Sequence, residues 1–145
     1  MDIKVYHTLH KDAVKIRKEV FMEEQGFHDE FDETDETAIH LVLYIDQVPA
    51  ATCRFFPGQT QGEYIVGRIA VEKEFRGNHL GSRILSAAES EIRNSGGSKV
   101  RLHAQQQAKP FYEKQGYAAF GKPDFDEDCP HIWMEKSLGS PQANC

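Results

Sequence analysis

Phe75-Arg76-Gly77-Asn78-His79-Leu80-Gly81-Ser82 carries the residue types of an anion site. Gly77 and Gly81 have no Cβ, so a phosphate could approach the backbone closely. Directly before this stretch, Glu63 to Val71 is apolar and β-branched enough for a buried strand. Directly after it, Leu80, Ile84, Leu85, Ala88 and Ile92 recur at helical spacing. A strand, a short glycine-bearing loop and a helix start bring unpaired first-turn amides together, and such amides bind phosphate. Two common phosphate loops are excluded, since neither G-x-x-x-x-G-K-[ST] nor a post-strand G-x-G-x-x-G occurs.

The chain of 145 residues is long enough for one hydrophobic core, and its 39% hydrophobic and 28% charged content reads as soluble and globular. No apolar run is long enough to span a membrane, and the N-terminus has no signal-peptide pattern. The expected location is the cytoplasm. Cys53, Cys129 and Cys145 are odd in number and lack C-x-x-C spacing, which argues for free thiols over a disulfide or zinc framework, and no metal site is expected. A net charge of −6 disfavours nucleic acid and anionic membrane as partners.

The elements that must position the loop are legible in order. Asp2 to His7 alternates as a strand, and Asp12 starts a helix carrying Val14, Ile16, Arg17, Val20 and Phe21. Eight acids between Glu23 and Glu36 form a run without calcium-loop order. That run reads either as a solvated loop or as an acidic rim for a cationic amine. Ala38–Ile45 and Pro49–Phe56 form a hairpin, and the central strand Glu63–Val71 follows. The next helix runs to about Asn94, Lys99–Ala104 is a strand and Gln106–Gln115 a helix. Tyr117–Phe120 starts a strand, Pro123–Pro130 is a second acidic loop, and His131–Lys136 a last strand. Residues 139–145 are small and polar and expected to be disordered, leaving one domain over residues 1–138.

The loop resembles the pyrophosphate loop [QR]-x-x-G-x-[GA] of the GNAT acyltransferases, with Arg76 first, Gly81 last and His79 in place of the middle glycine. Gln105 to Tyr117 resembles that family's second signature, N-x-x-A-x-x-[FL]-Y-x-x-x-G-[FY]. Ala108, Phe111, Tyr112, Gly116 and Tyr117 match, and Gln105 replaces the asparagine. Val20-Phe21 before Glu24-Gln25-Gly26, and Pro130-His131-Ile132-Trp133-Met134, resemble the ElaA/YjcF-like subgroup. The resemblance spans Asp2 to Leu138. It implies an α/β (α+β) fold with a mixed, mostly antiparallel sheet flanked by helices. Its fourth and fifth strands would splay apart around acetyl-CoA. It further implies that Ile69 and Val71 pair with pantetheine through their backbones, and that pyrophosphate lies on Gly77, Asn78, His79, Leu80, Gly81 and Ser82. Arg76 and Gln105 join this cofactor set.

Acetyl transfer to an amine needs a stabilised oxyanion and a proton for the departing thiolate. The Ala70 backbone N–H is the expected oxyanion donor, and Tyr112, by match to the family tyrosine, the expected acid. The base is open among Glu24, Glu63, His40 and His103. Arg54 and Arg68 would either bind an acceptor carboxylate or phosphate, or pair with acids to hold the sheet. Glu24, Arg54, Arg68 and His103 thus form the substrate-binding set. Cys129 sits among Asp126, Glu127 and Asp128, which disfavours its thiolate, so direct attack in a ternary complex is expected over a ping-pong route. The acceptor is a small-molecule or protein amine, and assembly as a homodimer stays open. The competing readings are a non-catalytic acyl-CoA-binding module and an interaction protein using its acidic loop. At His79 the loop must avoid positive φ or accept strain of about 1–3 kcal/mol.

Overall fold

A computed structural model describes residues 1–139, and the expected disordered tail lies, from residue 140, outside them. The described residues form two compact units, Met1–Phe56 with Val66–Ser90, and Pro57–Ile65 with 91–139.

In the first unit, β1 (Asp2–Tyr6), β2 (Ile39–Ile45) and β3 (Val48–Pro57) pair antiparallel, and β4 (Glu63–Val71) follows β3 in the sheet. β2 is buried on both faces, with Leu41, Val42 and Leu43 at 0% exposure. Such a strand reads as a continuous apolar run, not as an alternation. Asp46 and Gln47 close the β2–β3 hairpin with φ of 48° and 70°, the left-handed pair that matches strand twist. α1 (Lys11–Arg17) is capped by His10, whose Nδ1 accepts from the Asp12 N–H at 3.1 Å. It runs on as a π-helical segment, Lys18–Glu24. Ala13, Ile16, Val20 and Phe21 pack with Val42, Tyr44 and Ala70 as one core cluster.

In the second unit, the first residues of β4 run parallel to β5 (Lys99–Gln105), pairing Glu63 with Lys99 and Ile65 with Arg101. β7 (Cys129–Ser137) lies antiparallel between β5 and β6 (Ala118–Asp126). α2 (Leu80–Asn94), which begins in the first unit, ends at Gly96, which takes φ of 92°. A 3-10 turn, Gln106–Ala108, leads into α3 (Lys109–Lys114), with Pro110 in the first turn, where its missing N–H costs nothing. Val100, Leu102, Ala104, Tyr112, Tyr117, Ile132 and Met134 are buried. The mixed, mostly antiparallel α/β class is the one expected.

One expected loop is corrected. Pro123–Pro130 is not a loop, because β6 continues to Asp126 and only Glu127-Asp128, at φ 48° and 71°, turns the chain. The ladder shifts between Phe120 and Asp124, so Pro123 falls in the irregular stretch of an edge strand, where a missing N–H is tolerated.

Candidate functional site

β4 delivers the chain to the candidate phosphate loop through a 3-10 turn, Lys73–Phe75. Inside β4, Arg68 takes φ of 54°, a left-handed step that breaks the strand's alternation: Val66 and Ala70 are buried and Gly67–Ile69 half-buried. In the loop, Gly77 takes φ of 86° and His79 φ of 61°. His79 therefore adopts the strained backbone that sequence alone left undecided. The His79 carbonyl accepts from the Arg83 N–H at 3.1 Å and from Ser82 Oγ at 3.0 Å, so the helix starts on His79. Leu80, Gly81 and Ser82 supply the first-turn amides, which have no carbonyl one turn back to bind. Asn78 Nδ2 donates to the Phe75 carbonyl at 3.1 Å and closes the loop on itself.

Arg76 is tied at both ends of its guanidinium. Its Nε donates to the Val71 carbonyl at 3.0 Å, and its two terminal nitrogens each donate to the Glu24 carboxylate at 2.7 Å. The Arg76 hydrogen bond holds the Glu24 carboxyl below its ordinary range. Beside the loop entry, Glu72 is buried and bonded from Lys15 at 3.5 Å, and Lys15 also reaches Glu19 at 3.1 Å. Burial, and then the neighbouring Glu19 carboxyl, push Glu72 up to about 7. No sequence signal pointed to this pair, since Glu19 and Glu72 are far apart in the chain.

The acidic run is neither simply solvated nor a free rim. Arg17, only 1% exposed, donates from Nε to Glu30 at 2.8 Å and from its terminal nitrogens to Asp35 at 2.7 and 3.0 Å. Arg54 donates to Asp32 at 2.6 Å and Asp35 at 2.8 Å, and Arg68 lies 3.0 Å from Glu30. His40 donates from Nε2 to the Asp35 carbonyl at 3.0 Å. Three arginines on α1, β3 and β4 thus fold the loop back, because buried charges need paired partners. Of the two roles open for Arg54 and Arg68, acid pairing is the one that the geometry displays.

In the second unit, Tyr112 is 9% exposed, edge-on to Phe111 and Tyr117 at ring distances of 5.1 and 6.1 Å. Gln105 ends β5 and accepts a hydrogen bond from Gln107. His103 lies on β5, its Nε2 2.7 Å from Asp124 Oδ1, and its ring stacks on Trp133 at 4.9 Å. Asp124 was invisible as a partner because the sequence placed it in a loop. Glu63 is buried and accepts from Thr60 Oγ1 at 3.1 Å, with Arg101 Nε at 3.5 Å. Burial, and then Asp126, raise the Cys129 thiol, in line with its poor standing as a nucleophile.

The family model for the acetyltransferase (GNAT) domain matches residues 7–138. The chain belongs to the GNAT family. The uncharacterised N-acetyltransferase YjcF of Bacillus subtilis is 36% identical over 129 residues, covering 87% of this chain and 91% of that protein. A crystal structure of a proposed N-acetyltransferase from Lactobacillus plantarum superposes with a TM-score of 0.84 at 29% identity, covering 95% of this chain and 99% of the other. An aminoglycoside 6'-N-acetyltransferase complexed with coenzyme A shares the fold, with a TM-score of 0.78 at 17% identity over 97% of this chain and 99% of that one. This GNAT chain is accordingly an acyltransferase, and among its described residues no helix is long and apolar enough to cross a membrane.

Proposed function

We propose that the protein transfers the acetyl group of acetyl-CoA to a primary amine by direct attack in a ternary complex. The observation that carries this reading is the β4–loop–α2 segment. Its left-handed Gly77 and His79 lead into the first-turn amides of Leu80, Gly81 and Ser82. Those amides and the helix dipole suit a pyrophosphate, and the fold neighbour that holds coenzyme A supports the same use. The backbones of Ile69 and Val71 offer amide partners to pantetheine, and the Ala70 N–H is the oxyanion donor. Gln105 takes the place of the signature asparagine, and Tyr112 protonates the departing thiolate. The half-buried thiol of Cys129 and the buried one of Cys53, both free, fit a reducing cytoplasm.

Acetyl-CoA at about 100 times its Kd should stabilise the fold by roughly 2.7 kcal/mol, read as a thermal shift. Thiol release with a panel of alkylamines, amino sugars, polyamines and lysine peptides should find the acceptor. With that acceptor, Tyr112→Phe should lower kcat by about 10²- to 10⁴-fold while acetyl-CoA binding stays close to wild type. An absent thermal shift sinks the cofactor assignment, and an unchanged kcat, with chemistry rate-limiting, returns Tyr112 to a purely packing role.

A further inference from the structure

A groove of about 610 Å³ lies in the first unit between β1, the start of α1 and the β2–β3 hairpin, a volume within the range of small-molecule sites. Strand register puts Lys4, Tyr6 and Tyr44 on the sheet face that α1 covers. The floor is a chain of hydrogen bonds. Tyr44 Oη donates to Asp12 Oδ2 at 2.7 Å, and the Tyr6 and Tyr44 hydroxyls lie 2.7 Å apart. Tyr44 is 8% exposed, and half-buried Tyr6 stacks on His10 with ring centroids 4.0 Å apart. None of these residues has a part in the acetyl transfer proposed above.

The chain has a fixed polarity. A carboxylate only accepts, so the single Tyr44 hydroxyl proton is committed to Asp12. Burial, and then the Asp12 hydrogen bond, push that hydroxyl well above the ordinary phenol range and keep it protonated. The Tyr44 oxygen therefore accepts from Tyr6, which commits the Tyr6 proton as well. His10 Nδ1 accepts from the Asp12 N–H at 3.1 Å, so the neutral ring turns no proton towards the carboxylate 3.5 Å away. What remains for a ligand is a lone pair on Tyr6 Oη and Asp12 Oδ1, which has no partner among the described residues. An acceptor-only floor ending in a carboxylate disfavours anions and suits a positive group with several N–H bonds. The wall already accommodates such a group, since Lys4 Nζ lies over the Tyr44 ring, 5.5 Å from its centroid. Among the rim side chains, Asp2 and Asp46 offset Lys4 and Lys11, so the rim favours neither sign and the floor decides.

We propose that this groove binds the primary ammonium group of a small organic amine, held between Asp12 Oδ1 and Tyr6 Oη. A primary ammonium carries three N–H donors, enough to meet both acceptors and keep one bond to solvent. A quaternary ammonium brings the charge without donors, and a carboxylate brings neither. The groove lies wholly within the first unit, and binding there requires neither acetyl-CoA nor acetyl transfer.

The test is an amide-resolved NMR titration of the full chain at neutral pH, without acetyl-CoA, using butylammonium, tetramethylammonium and butyrate as probes. Butylammonium should shift the amides of Tyr6, Asp12 and Tyr44 saturably, and the other two should bind there at least about tenfold more weakly. Asp12→Asn, which keeps the shape and removes the charge, should weaken butylammonium by about tenfold or more. Tyr6→Phe, which keeps the stacked ring and removes one acceptor, should weaken it by a smaller factor. Groove amides that stay still in butylammonium, or that respond equally to all three probes, overturn the proposal. Wild-type affinity in either variant does the same. Thiol release has no part in these readings, so each such outcome leaves acetyl transfer standing.

Discussion

Arg76 and Glu24, 52 positions apart in sequence, share two hydrogen bonds of 2.7 Å, one from each terminal nitrogen of the guanidinium. The pair joins the loop proposed to hold the cofactor's pyrophosphate to the end of the π-helical segment, and it leaves a negative charge beside that proposed anion site. Both side chains are well exposed, at 41% and 36%, and exposed ion pairs are worth only about 0–1 kcal/mol. Glu24→Gln should therefore leave thermal stability almost unchanged. It should tighten acetyl-CoA by up to about fivefold at low salt, by removing a charge that competes with phosphate. Titration calorimetry reads this directly. A weaker complex would show that the carboxylate serves to shape the loop.

Asp35 answers to two buried arginines, and its loss should be felt throughout the first unit. Burial by itself would raise its carboxyl, but the hydrogen bonds from Arg17, the Asp32 N–H and Arg54 outweigh that and hold it well below the usual carboxylate range. Asp35→Asn leaves Arg17 and Arg54 short of a counter-charge, and breaking such a pair costs about 3–5 kcal/mol. A depressed carboxyl contributes stability that is complete above its unfolded value of about 3.9 and fades as pH falls through the folded one. The deficit of the variant in urea unfolding should thus be constant from neutral to mildly acidic pH and shrink only in strong acid.

Glu72 has the opposite sign. Burial and then the Glu19 carboxyl push it up to about 7, with Lys15 pulling weakly the other way. The folded chain prefers its protonated form, so stability drains away as pH rises from the ordinary glutamate value through about 7. Glu72→Gln, fixed in the neutral state, should melt close to wild type at pH 5 and above it at pH 8. Equal melting points at both would mean that the pair relaxes without cost.

His79 tests the backbone of the proposed phosphate loop. Its φ of 61° is tolerated by histidine but poorly by β-branched residues. His79→Val should destabilise the fold by about 1–3 kcal/mol, whereas His79→Gly should stay within about 1 kcal/mol of wild type. Thermal unfolding of both variants without ligand gives the comparison, and equal losses would point to the ring instead of the backbone.

Sequence showed most clearly what depends on neighbours in the chain. β4 was legible at both ends because Tyr64 to Val71 is an apolar run, and α2 because Ile84, Leu85, Ala88 and Ile92 keep one face. What stayed hidden depends on distant partners. Arg17 reads in sequence with the apolar residues of its helix but without a partner, and it is buried because Glu30 and Asp35 return to meet it. The widening of α1 into a π-helical segment has no local signature in Lys18 to Glu24. Asp124 read as loop because Pro123 precedes it, while the edge position of β6 makes that proline harmless and turns the aspartate towards His103.

Cys53 lies in β3 at 1% exposure, its Sγ directed at the Ile84 carbonyl, and burial pushes its thiol up to about 12. An alkylating reagent, which needs an accessible thiolate, is blind to this sulfur while β3 stays packed on α2. The folded chain thus carries its own clock. Modification of Cys53 counts the openings of that packing, and half-buried Cys129 on the β6–β7 hairpin supplies a separate, quicker tick. Anything that clamps the loop at the head of α2 lengthens the first interval and leaves the second alone.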